Sequence, residues 1–106
     1  MSKDLKMVEY YDTYGSLLTE KQREAMEMYY FSDLSLTEIA EETGVTRQSA
    51  FNTIRNCETR LFELENALKL LEKRDRAKKL LSSLKPMLKG NEEGERLVEE
   101  IGELFN

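Results

Sequence analysis

Histidine and tryptophan are absent from the 106-residue sequence, and cysteine occurs once. Each gap removes a class of chemistry. Without histidine there is no Ser-His or Cys-His catalytic pair and no mixed Cys/His metal site, and a lone thiol cannot close a disulfide within the chain. Proline and glycine are scarce, at one and five residues. β-Branched residues never alternate with polar ones between turn signals, so the pattern of strands and hairpins is missing. No apolar run is long enough to span a bilayer, and the segment MSKDLKMVEYYD carries acids where a secretory signal needs an apolar stretch. The expectation is a cytoplasmic protein without membrane insertion, cofactor, metal or catalytic residues, and hence not an enzyme.

What remains is 40% hydrophobic and 35% charged, the composition of a folded, helix-rich protein with one modest core. The net charge of −5 opposes binding to a polyanion. Its distribution is uneven, however. Residues 1–46 hold four basic and ten acidic side chains, residues 69–89 hold eight basic and two acidic, and residues 90–106 hold one basic and six acidic. A basic block therefore lies between two acidic ones. It reads either as a solvated helix face paired with its neighbours or as a contact for an acidic partner.

Periodicity and capping residues predict an all-α chain. A first helix over about 3–13 carries Leu5, Val8 and Asp12 on one stripe with Tyr11 and Tyr14 beside it, and ends at a left-handed cap at Gly15. Thr19 with Gln22 forms a capping box after the apolar pair Leu17 and Leu18, opening a helix with Ala25, Met28 and Tyr29 inward. Ser35 with Glu38 forms a second box before Leu36, Ile39 and Ala40. Gly44 then makes a turn, and Thr46 caps a longer helix. Cap, short helix, glycine turn, cap and longer helix is the grammar of a helix-turn-helix.

The longer helix continues. Ala50, Ile54, Cys57, Leu61, Leu64, Leu68 and Leu71 follow alternating spacings of four and three, a heptad seam that predicts a rod from Arg47 to Lys73. Such a rod is about 40 Å long, more than a small trihelical unit covers. The seam is therefore expected to serve dimerisation or helix packing through Ile54, Cys57, Leu61, Leu64, Leu68 and Leu71, facing either a twin chain or the chain's own C-terminal helices. A break is expected near Arg74 or Asp75, a helix end or kink at Pro86, a loop between Gly90 and Gly94, and a final acidic helix over about Glu95 to Leu104 with Leu97, Val98, Ile101, Leu104 and Phe105 on one face. Residues 1–60 form the helix-turn-helix domain in this reading. Residues 61–106 form a continuous C-terminal helical extension, all in one compact unit, and a symmetric homodimer is expected.

With Ile39, Val45, Ala50 and Ile54 locking the two motif helices, Thr46, Arg47, Gln48, Phe51, Asn52 and Arg55 fall on the outer face. Arg makes bidentate contacts to guanine, Gln and Asn to adenine, an aromatic meets a thymine methyl or an unpaired base, and Thr46 with the helix N-terminus suits a phosphate. These six are the candidate nucleic-acid-binding residues. Trihelical units also serve as protein-binding modules, and Phe51 together with Glu38, Glu41 and Glu42 on the preceding helix favours that alternative. Cys57, on the seam, reads as a buried structural thiol.

The stretch LTEKQREAMEMYYFSDLSLTEIAEETGVTRQSAFNTIRNCETRL, residues 18–61, resembles region 4 of bacterial sigma factors. More specifically, YGSLLTEKQREAMEMYYFSDLSLTEIAEETGVTRQSAFNTI, residues 14–54, is similar to the YlxM family of small helix-turn-helix proteins, and the chain length and basic-then-acidic tail extend that similarity to the whole chain. The resemblance implies a sigma-region-4-like helix-turn-helix followed by a long helix and a C-terminal helical extension. It also implies a regulatory role in the signal recognition particle pathway, because genes of the family typically neighbour those of the targeting GTPase and its receptor. Partners implied are DNA or signal recognition particle RNA, or alternatively the particle's proteins, met by an adaptor that touches no nucleic acid. Carried over by position, the recognition residues are Arg47, Gln48, Asn52 and Arg55, with the family's frequent aromatic at Phe51. Ala50 replaces a bulkier aliphatic, and Asn52 stands where an acid is frequent.

Overall fold

The computed structural model describes residues 3–105, whose regular elements are all helices, with no strand among them. They form two compact units that divide after Lys69. The first unit contains α1 (Leu5–Tyr14), a short 3-10 turn (Gly15–Leu17), α2 (Glu20–Tyr30), α3 (Leu36–Thr43) and α4 (Arg47–Leu68). The second contains α5 (Leu70–Leu84), a 3-10 turn (Lys85–Leu88) and α6 (Glu92–Glu103).

The caps of the first unit are where the sequence places them. Thr19 Oγ1 accepts from the Gln22 N–H while Gln22 Oε1 accepts from the Thr19 N–H, and Ser35 and Glu38 repeat the exchange. Gly44 closes α3 at φ 72°, ψ 29°, a left-handed conformation that a β-carbon disfavours. Thr46 accepts from the Ser49 N–H at 3.0 Å and starts α4.

One core fills the unit. Ile54, Cys57 and Leu61 of α4 are fully buried, with Ala50 close to it, and they pack with Ile39 and Ala40 of α3, Ala25, Met26 and Tyr29 of α2, and Met7 and Tyr14 of α1. From Ala50 to Leu61 the seam is thus covered by the three helices that precede it in the chain. Helix α1 covers its far end. Tyr14 is buried there, and its hydroxyl donates to Glu65 Oε1 at 2.5 Å.

Several local expectations are corrected. Gly15 is right-handed, at φ −57°, and its value lies in space, since a β-carbon there would stand 3.2 Å from the Tyr11 ring. The inward face of α1 is Met7 and Tyr14 with Tyr10 and Tyr11 half-buried, while Leu5 is exposed, because the larger side chains take the core. In α2 Met26 is the fully buried methionine, and Met28, two residues on, is half-buried against the same core. Leu18 enters the core and Leu17 stays outside. Val45 is 44% exposed and does not lock the motif helices.

The long rod is shorter than the heptads predict. Helix α4 stops at Leu68, where Lys69 turns left-handed at φ 55° and its N–H bonds to the Glu65 carbonyl at 2.8 Å. The break thus comes at Lys69 and not near Arg74 or Asp75, which lie inside α5. Leucine spacing carries no trace of one left-handed lysine, so the seam reads continuously through it. Leu64 packs on the first core, Leu68 is half-exposed, and Leu71 belongs to the second unit and is buried.

In the second unit α5 ends before Pro86, as expected, and Gly90 turns at φ 90°. Helix α6 begins three residues before Glu95, because Asn91 Oδ1 accepts from the Gly94 N–H at 2.9 Å and caps it. Gly94 therefore lies in the first turn of a helix instead of closing a loop. Val98 is buried, while Leu97, Ile101 and Leu104 are exposed.

Two substitutions test how the motif is held. Gly44→Ala meets no atom within 4 Å, so its cost is conformational alone, about 1–2 kcal/mol. Leu61→Ala, emptying a fully buried site, costs about 2–5 kcal/mol. Urea denaturation followed by circular dichroism measures both, and the Leu61 variant is the less stable.

Candidate nucleic-acid interface

The first three turns of α4 carry the candidate face. Arg47, Gln48, Asn52 and Arg55 are exposed, and the rise from Arg47 to Arg55 is about 12 Å at 1.5 Å per residue, comparable with the width of a DNA major groove. Thr46 at the N-cap is exposed as well. No acid occupies the first turn of α4, whereas α2 and α3 each have one there. The positive end of the α4 dipole is thus uncompensated beside the Arg47 guanidinium.

The polar side chains are partly pre-arranged. Gln48 Nε2 donates to Asn52 Oδ1 at 3.1 Å across one turn, aligning two amides on the face. Arg47 has no ion-pair partner among the described residues. Arg55 lies 3.9 Å from Glu58, a loose surface pair that a phosphate or a base edge displaces at small cost. Phe51 is half-buried against the core, so it is only partly available on the outer face and helps to secure α4.

The acids of α3 are less obstructive than their number suggests. Glu38 is held by its capping duty to Ser35. Glu42 lines a groove of about 350 Å3 that also contains Lys21 and Thr53. Glu41 is exposed.

Two hydroxyl–carboxylate contacts, not anticipated from the residue pattern, pin α4 from the side. Tyr30 donates to Glu58, and Tyr14 donates to Glu65 one heptad further on. The available sequence signal was two glutamates seven residues apart, flanking the seam. Burial, followed by the bond to the Glu58 carboxylate, raises the Tyr30 pKa above the ordinary 10.0. Burial likewise pushes the Cys57 thiol up to about 11, with Glu58 adding to the shift. The Lys3 ammonium, ion-paired with Asp33, sits 4.6 Å from the Tyr29 ring centroid and ties the start of the chain to α2.

Comparison with known proteins follows the same outline. The family model described as "Putative helix-turn-helix protein, YlxM / p13 like" matches residues 1–101. The chain belongs to this family, UPF0122. A UPF0122 protein of Bacillus mycoides (strain KBAB4) is 43% identical over 98% of both chains. One from Shouchella clausii (strain KSM-K16) is 48% identical over 80% of this chain and 78% of its own. One from Bacillus thuringiensis (strain Al Hakam) is 42% identical over 98% of both. No helix among the described residues of this UPF0122 member is long and apolar enough to cross a membrane.

The buried thiol makes a pH prediction. The folded protein holds the Cys57 proton more tightly than the unfolded chain, so this contribution to stability is complete below the ordinary pKa of 9.0 and is lost as pH rises towards about 11. Tyr30 shifts in the same direction. Denaturation midpoints should fall from pH 9 to pH 11, and Cys57→Ala should flatten part of that slope. A thiol reagent at pH 8 should label Cys57 only after unfolding.

Proposed function

We propose that this UPF0122 protein is a cytoplasmic nucleic-acid-binding regulator and not an enzyme, acting as a homodimer in the signal recognition particle pathway. The observation that carries the reading is the exposed row Arg47, Gln48, Asn52 and Arg55 on the first three turns of a helix-turn-helix second helix. Thr46 and the α4 N-terminus take a phosphate in this reading. Arg47 and Arg55 reach guanine edges or phosphates, the Gln48–Asn52 amide pair reads adenine, and Phe51 meets a base or thymine methyl at its edge. The net charge of −5 weakens the sequence-independent attraction, so the reading calls for few phosphate contacts and a shallow dependence on salt.

The ligand is DNA or the structured RNA of the signal recognition particle. Anisotropy titrations of labelled particle RNA and of random duplex DNA at two salt concentrations separate them. Arg47→Ala and Arg55→Ala should each weaken binding by about 1–3 kcal/mol where the contact is to a base, and a lost phosphate contact should reduce the salt slope by about one. Binding unchanged in both variants would overturn the face assignment. No binding at either salt, with capture of the targeting GTPase that Phe51→Ser abolishes, would replace this reading with a protein adaptor.

A further inference from the structure

The second unit has an unfinished core. It is shorter than the roughly 40 residues below which a fold usually needs a disulfide, a metal or a partner, and its buried side chains are Leu71 and Val98. Its chain holds no disulfide, since the one cysteine is Cys57.

The two sides of the α5–α6 hairpin differ. Along one runs an open groove of about 560 Å3 with Leu81 and Val98 in its lining and a charged margin of Lys78, Lys85, Glu99 and Glu103. Helical periodicity turns Leu80 and Leu84 of α5, and Leu97 and Ile101 of α6, to the opposite side. Those four are exposed, Leu80 at 55% and Leu97 at 46%, and Met87 and Leu104 are more exposed still. Aliphatic side chains at i and i+4 on both helices of a hairpin make a continuous apolar stripe, and α5 and α6 leave it exposed.

Charge selects the occupant. Helix α5 carries five basic and two acidic residues, and α6 carries one basic and six acidic. Arg76 has no ion-pair partner among the described residues, and it lies one turn before Leu80 on the apolar side. Glu100, paired among the described residues with Arg96 of its own helix at 3.1 Å, flanks Leu97 and Ile101. A surface that is basic along one helix and acidic along the next is complementary to itself. Two hairpins meeting face to face have two possible two-fold arrangements. One stacks α5 on α5 and α6 on α6, setting like charges together. The other, with its axis parallel to the helices, lays each α5 antiparallel to the α6 of its twin.

We infer that a second copy of this chain covers the Leu80, Leu84, Leu97 and Ile101 face, with α5 of each copy against α6 of the other in a four-helix bundle. The inference rests on the homodimer element of the proposed function and supplies its surface. It is independent of the α4 recognition face, which the RNA and DNA titrations test separately. The apolar side chains contribute the affinity, and the Arg76 and Glu100 rim chooses the α5-on-α6 pairing over the α5-on-α5 one.

Sedimentation velocity of the full chain at micromolar concentration should give twice the 12.4 kDa monomer mass. Leu80→Glu combined with Leu97→Lys, at sites already exposed, should give the monomer with unchanged helical circular dichroism. Arg76→Glu and Glu100→Lys should each weaken dimerisation by about tenfold, since each change occurs twice in a two-fold dimer, and together they should restore it. A monomeric wild-type protein would overturn the inference and leave the face to another partner. A dimer that survives the leucine substitutions would overturn it as well, as would charge variants whose losses add instead of cancelling. Should the leucine double variant lose helicity, the wild-type mass and the charge exchange still decide.

Discussion

Burial of Ala50, Ile54, Cys57 and Leu61 under three shorter helices is the interaction on which the rest of the first unit depends. One stripe on α4 meets α3 at its beginning, α2 along its middle and α1 towards its end. Each of those helices supplies bulk that the stripe lacks, in Ile39, Met26, Tyr29 and Tyr14. Removing this apolar surface from water is worth about 25 cal/mol per Å2, and no other source of comparable size is available without disulfides or metals. The opposite face of the same helix is thereby held to solvent. Arg47, Gln48, Asn52 and Arg55 are exposed because the other side of the helix is committed to the core.

Polar contacts refine that arrangement. Tyr30 with Glu58 and Tyr14 with Glu65 fix the rotation of α4 about its axis, which apolar packing alone specifies loosely. Glu58 also stands beside Arg55, so the same carboxylate joins the core boundary to the recognition face. Glu38, by closing the cap at Ser35, removes one negative charge from free display next to that face. A protein with net charge −5 thus presents a local row of cationic and amide groups on the outer face of α4.

The second unit obeys different constraints. A helical hairpin of this length encloses little, and Leu80, Leu84, Leu97 and Ile101 stay exposed on one side while Lys78, Lys85, Glu99 and Glu103 border the groove on the other. The contrast with the first unit explains why leucine spacing is a poor guide here. In the first unit the stripe and the core coincide; in the second, much of the stripe stays exposed.

Helix type, both capping boxes, the left-handed Gly44 and the buried positions Ile39, Ala40, Ala50, Ile54, Cys57 and Leu61 were legible from the residues. These are local or periodic properties, carried by side chains that act within four residues of one another. The outer row Arg47, Gln48, Asn52 and Arg55 was legible for the same reason, as the complement of the stripe. Only the tertiary structure decided what covers the seam, because residues such as Tyr14 and Glu65 meet across fifty-one positions of chain. It alone placed the break at Lys69, since a lysine in the left-handed region announces nothing in advance. It likewise chose Met7 over Val8 and Met26 over Met28 for the deepest positions, differences of one and two residues that depend on the shape of the neighbour and not on hydrophobicity.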